Sequence, residues 1–120
     1  MTTATAEELK QKKCKPCEGG VPAVLRPEAE RLLEKLPGWE LSEDAKRIRR
    51  QWEVKDFAAA IDFFILVSHI AEAEGHHPDL HLVGYRNVTI ELWTHAIDGL
   101  SENDFITAAK IDEVPVELKG

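Results

Sequence analysis

Glu72-Ala73-Glu74-Gly75-His76-His77-Pro78 places two carboxylates and two adjacent histidines within seven residues, and His95 follows downstream. Imidazole is the side chain whose ordinary pKa lies nearest neutrality, so it can both give and take a proton at physiological pH. Histidines beside carboxylates, on a segment turned by Gly75 and Pro78, point to proton transfer or to a metal. The metal reading is weakened by geometry. Pro78 biases His77 toward extended backbone, and neighbouring side chains on an extended segment point apart. His76 and His77 then grip one ion only if a tight turn draws them together. The remaining histidines, His69 and His81, are assigned to helix packing and to a strand surface. Each residue here has a plainer role too: Glu72 as a solvated helix-terminal carboxylate, Asp104 as a capping acid, Trp39 and Trp93 as packing residues.

The rest of the chain bounds the problem. Its 120 residues suit one domain with one modest core. With 15 Lys and Arg against 22 Asp and Glu, the net charge is −7, unfavourable for direct binding to nucleic-acid phosphates. Lys46-Arg47-Ile48-Arg49-Arg50 is the local exception and reads as the wet face of a strand, with a patch for an anionic partner or ligand as the alternative. No apolar run approaches the roughly 20 residues that cross a bilayer, and the acidic start lacks the basic-then-apolar pattern of a secretory signal. Cys14 and Cys17 form one C-x-x-C pair, too few thiols for a disulfide scaffold, so a reducing, cytoplasmic setting is expected. They supply half of a four-ligand zinc site; an ordinary reduced pair is the simpler reading.

Residues 1–26 read as a loop-rich arm and 27–120 as the domain. A helix starts at Pro27, carries Leu32, Leu33 and Leu36, and stops at Pro37-Gly38. A hairpin follows, from Trp39 to Leu41 and back from Lys46 to Val54. Ile48, Trp52 and Val54 share one face of its second strand, interrupted by Arg50. Asp56 is an N-cap for a long helix reaching about Glu74. Phe57, Ala60, Ile61, Phe64, Ile65, Ser68 and Ala71 form its expected inner stripe, and Gly75 its stop. Because Leu66, Val67 and Ile70 are also apolar, this helix is central to the core or packs in an oligomer. A second hairpin pairs Leu80–Val83 with Asn87–Thr94, with Val88, Ile90 and Leu92 inward. Continued alternation would put His95 on the Glu91 and Trp93 face. Ser101-Glu102-Asn103-Asp104 resembles a capping box and opens a last helix. The order helix-strand-strand-helix-strand-strand-helix predicts an α+β fold, a four-stranded antiparallel sheet with helices on one face.

The spacing of Glu72, His76-His77-Pro78, Tyr85, His95 and Asp104 resembles the signature of the pterin-4a-carbinolamine dehydratases. Gly38-Trp39, Lys55-Asp56-Phe57, Thr94-His95 and Gly99-Leu100-Ser101 extend the likeness over roughly residues 27–112. The resemblance implies dehydration of a 4a-hydroxytetrahydropterin to the quinonoid dihydropterin, which is recycled for aromatic amino-acid hydroxylases, with no cofactor or metal. It implies His76 and His95 as the acid–base pair on opposite sides of the ring. His77 binds substrate and shares in the proton work; Glu72 holds the amino-pyrimidine edge. Pro78, Trp39, Trp93 and Thr94 are pocket walls, and Asp104 supports the site. The implied partners are a pterin and further copies of the chain, as a dimer or tetramer. Gly75 and Asn103 depart from relatives with an acid and a basic residue there, and the loop from Pro78 to Tyr85 is long for the family. The alternative is a non-catalytic binding protein on the same fold, resembling Rubisco assembly chaperones or a dimerisation cofactor of a homeodomain protein.

Overall fold

The computed structural model describes residues 6–12, 14 and 22–120. Its helices are α1 (Ala6–Gln11), α2 (Arg26–Leu33), α3 (Phe57–Glu74) and α4 (Glu102–Ile111). Its strands are β1 (Glu40–Leu41), β2 (Ile48–Glu53), β3 (Asp79–Val83) and β4 (Asn87–Leu92). They form one antiparallel sheet in the order β1-β2-β4-β3.

The alternation seen in the sequence sets the register. Ile48 pairs with Leu92, Trp52 with Val88 and Leu80 with Ile90, so apolar side chains meet across strands on one face. Ile48, Val88, Ile90 and Leu92 are buried there with Phe63 and Val67 of α3 and Phe105 of α4. Trp39, just before β1, meets Trp52 of β2, and Trp52 meets Phe63 of α3, through two edge-on ring contacts at 6.0 and 5.1 Å between centroids.

Arg50, the polar residue on the inner face, has partners that account for it. Its guanidinium reaches Asp112 at 2.8 Å and lies over Trp52, and Trp39 Nε1 donates to the same carboxylate at 2.9 Å. Burial pushes the Asp112 carboxyl above its usual range, opposed by the hydrogen bond from Trp39 and the charge of Arg50. Gly38 makes room for this cluster. Its φ is +98°, and a Cβ there would stand 2.9 Å from Arg50 Nε. Asp112→Ala would strand both donors and is expected to cost about 1–3 kcal/mol, read as a lower denaturant midpoint at unchanged m-value.

The inner face of α3 differs from the expected stripe. Ala59, Ala60, Phe63, Val67 and Ala71 are buried, whereas Phe57, Ile61 and Ile65 are 55%, 38% and 48% exposed and Ser68 is exposed. The helix is apolar nearly all round, so periodicity does not single out one face. Docking on the sheet does, from a start held by Asp56, whose side chain accepts the Ala59 N–H at 2.8 Å. His69, expected in helix packing, is exposed. Of the segment before residue 27, the described residues include helix α1. Helix α1 lies against α4 and buries Leu9 completely.

Candidate functional site

Three chain reversals build the site. Helix α3 ends at Gly75, in left-handed conformation at φ 64°, as a C-terminal glycine permits. The reversal sends His76 inward, and its N–H still bonds Ala71 O at 3.1 Å. The next reversal is at the top of β4, where Thr94 and Gly99 bridge and close a short loop. Within it, His95–Ile97 form a turn of 3-10 helix. The third is the start of α4, where Ser101 and Asp104 make a capping box.

His76 is 4% exposed, and its Nε2 lies 2.6 Å from Asp104 Oδ1. The other oxygen of Asp104 accepts Thr94 Oγ1 at 2.8 Å and the Ser101 N–H at 3.0 Å. Thr94 Oγ1 and Ser101 Oγ are themselves 2.7 Å apart. One buried carboxylate thus caps a helix, ties down the end of β4 and orients an imidazole. His77 points the other way, as adjacent residues on an extended segment must. It is exposed, with Nε2 2.7 Å from Glu72 Oε2.

His95 is exposed and reaches Trp93 by a route that alternation does not provide. Strand β4 stops at Leu92, yet the short turn returns the His95 ring to 4.2 Å from the Trp93 ring. Trp93 is held by its Nε1 hydrogen bond to Asp79 at 3.0 Å and by the Arg47 guanidinium, 4.1 Å from its centroid. Gly75, His76, His77, Trp93, His95 and Ala96 enclose a hollow of about 220 Å³. On the far side of His77, a second hollow of about 290 Å³ is lined by Glu72, Pro78, Ala71 and Leu80 among others. His77 stands between the two.

Of the expected residues, His76, His77, His95 and Trp93 line the first hollow, and Glu72 and Pro78 line the second with His77. Thr94 and Asp104 are fully buried behind His76, so they act on the site through it and not as walls. Trp39 is elsewhere: it is a core residue bonded to Asp112 and lines neither hollow. Asp79, which holds Trp93, escaped the sequence reading, where the acid directly after Pro78 was the available signal, and Arg47, which also holds it, was read only within a strand's wet basic face. Among the described residues no cluster of three or more His, Cys, Asp or Glu could hold a metal ion, and Cys17 lies outside the described residues. Burial pushes the Cys14 thiol up to about 11, so it is a protonated thiol at neutral pH.

The fold and site together are a small α+β domain with a buried imidazole–carboxylate pair beside an open hollow. The family described as pterin 4 alpha carbinolamine dehydratase matches residues 22–114. A mitochondrial pterin-4-alpha-carbinolamine dehydratase 2 of Arabidopsis thaliana is 52% identical over 119 residues, which are 97% of this chain and 64% of that protein. A putative pterin-4-alpha-carbinolamine dehydratase of Azoarcus is 47% identical over 94% of this chain and 96% of its own. The crystal structure of a transcriptional coactivator/pterin dehydratase from Brucella melitensis superposes with a TM-score of 0.70 at 30% identity, covering 76% of this chain and 96% of that one. A pterin dehydratase-like RuBisCO assembly factor of the alpha-carboxysome shares the fold, with a TM-score of 0.52 at 20% identity over 62% of this chain and 86% of that one. The chain belongs to the pterin-4-alpha-carbinolamine dehydratase family, and its homologues are named for a hydro-lyase activity. Among the described residues no helix is long and apolar enough to cross a membrane.

Proposed function

We propose that this chain dehydrates a 4a-hydroxytetrahydropterin to the quinonoid dihydropterin by histidine general acid–base catalysis. The observation that carries the reading is the buried His76–Asp104 pair opening on a hollow shared with His77 and His95. The N5–H bond breaks and its electron pair becomes the C4a=N5 double bond. The C4a–O bond breaks, and the hydroxyl leaves as water with a proton given by the acid. Atoms and charge balance without an oxidant or a covalent intermediate. His76 and His95 divide the two proton transfers, and Asp104 steadies the imidazolium that forms on His76. Trp93 offers an aromatic wall to the flat ring system. Glu72, through His77 or directly, meets the amino-pyrimidine edge beside Pro78.

The working form is a homo-oligomer, a dimer or tetramer. Phe57, Ile61, Ile65 and Leu66 leave an apolar strip of α3 exposed, and strips of this kind mark contacts between proteins. The reduced pattern of cysteine use favours the cytoplasm. In a hydroxylase-coupled assay, the wild-type protein is expected to accelerate loss of the carbinolamine and formation of the quinonoid product. A folded protein that binds pterin without acceleration would overturn the dehydratase reading. The exposed α3 strip would then become the site to probe for a protein partner.

A further inference from the structure

Helix α3 reaches α4 at a second point, and the N-terminal arm is part of it. Glu74, the last residue of α3, has a side chain only 7% exposed. Its Oε2 accepts Lys110 Nζ at 2.7 Å, and its Oε1 accepts the Cys14 main-chain N–H at 2.8 Å. Cys14 Sγ rests 3.4 Å from Thr107 Oγ1 and 3.6 Å from Asn103 O, both on α4. Upstream, Lys12 pairs with Glu102 at 3.0 Å and Leu9 is buried. Lys12 and Cys14 thus both meet α4, and the Cys14 N–H closes on a carboxylate two residues before His76.

From this geometry we infer that Glu74 is a positioning residue for His76 and that the arm, through Cys14, completes the device. The inference rests on the dehydratase reading for its kinetic consequence. Asp104 and Lys110 are six residues apart on α4, about 9 Å along its axis. His76 is tied to the first and Glu74 to the second, and only Gly75 stands between them. The Glu74–Lys110 pair adds a hold on the chain just before Gly75 to those that His76 has through Asp104 and through its N–H to Ala71 O. Two tethers on one rigid helix fix both the place and the tilt of the His76 ring. Misplacement of a reacting group by about 1 Å can cost on the order of 10²-fold in rate. Neither Glu74 nor Cys14 lines the hollow, so their influence should fall on turnover and not on binding.

The test compares full-length wild type, Glu74→Ala and Glu74→Gln. Glutamine keeps an acceptor for the Cys14 N–H but loses the ion pair. Two quantities are read: kcat and KM for the carbinolamine, and the proton NMR signal of the His76 ring N–H shared with Asp104, assigned by its loss in His76→Gln. Glu74→Ala should lower kcat roughly ten- to a hundredfold with KM within about twofold. Its His76 N–H signal should move and broaden, and Glu74→Gln should lie between wild type and Ala. If alanine prevents folding, Glu74→Gln alone carries the comparison. A folded variant with unchanged kcat and an unchanged His76 signal, even at lower thermal stability, would overturn the inference. If wild type is inactive, the dehydratase reading fails separately. The His76 signal then decides the positioning role by itself.

Discussion

His95→Ala should lower kcat by about 10²–10⁴-fold, the usual worth of one general acid or base, while barely changing stability. His95 is exposed on a short turn, its ring tilted against that of Trp93. Its removal therefore leaves no cavity, and exposed positions of this kind typically change stability by less than about 0.5 kcal/mol. A large loss of turnover with an unmoved thermal midpoint would separate chemistry from folding. His76 needs a different substitution, because alanine would leave Asp104 facing a void. His76→Gln keeps a donor toward Asp104 but cannot exchange protons near neutral pH, so kcat should again fall by about 10²–10⁴-fold. Combining His76→Gln with His95→Ala should cost less than the sum of the two single losses, because acid and base serve one elimination. Steady-state kinetics beside thermal melts check all three variants. Unchanged kcat in His95→Ala would remove it from the acid–base pair and leave His77 as the partner to test.

Asp104→Ala has the largest expected effect on stability. The side chain accepts from Thr94 and from the Ser101 N–H, and it lies 2.6 Å from His76 Nε2 in a fully buried setting. Loss of a helix cap costs about 0.5–2 kcal/mol, and each stranded buried donor about 1–3 kcal/mol. Thr94 can fall back on Ser101 Oγ, 2.7 Å away, which recovers part of the loss. The net expectation is about 3–5 kcal/mol, or roughly 10–20 °C in Tm for a domain of this length. Asp104→Asn keeps shape and one acceptor, so it should cost less stability, about 1–2 kcal/mol. It should still lower kcat by about tenfold or more, because the His76 ring loses the carboxylate that sets its orientation. Calorimetry paired with kinetics distinguishes the two roles. An Asp104→Asn protein with wild-type kcat would reduce Asp104 to a helix cap.

The strands and caps were legible because each depends on local chemistry. Val88, Ile90 and Leu92 alternate, Asp56 precedes a helical run, and Ser101 stands three residues before Asp104; the structure places each where those patterns imply. The face of α3 was not legible. An almost uniformly apolar helix carries no periodic signal, so the choice of Phe63 and Val67 over Ile61 and Ile65 is made by the sheet beneath it. His95 shows a related limit. The approach to Trp93 depends on a 3-10 turn that replaces the last step of the strand, and strand period says nothing beyond the strand's end. Asp104 carried both of its readings at once. Its capping role follows from a three-residue spacing, but its contact with His76 spans 28 residues and exists only when α3 and α4 pack. Thr94 entered the reading through the family resemblance, as a pocket wall; that it is fully buried and bonded to Ser101 and Asp104 is set by the fold.

Gly75 separates the skeleton of this site from its charge. A Cβ built there meets nothing within 4 Å, and the position lines the hollow beside His76 and His77. The left-handed φ of 64° is the only barrier to a side chain, and aspartate and asparagine tolerate that conformation best after glycine. Gly75→Asp would therefore set a carboxylate beside His76 and His77, its Cβ meeting no neighbour and its cost lying in the left-handed φ. Position 75 works as an electrical dial on a fixed mechanical frame, and in this chain the dial is set to neutral.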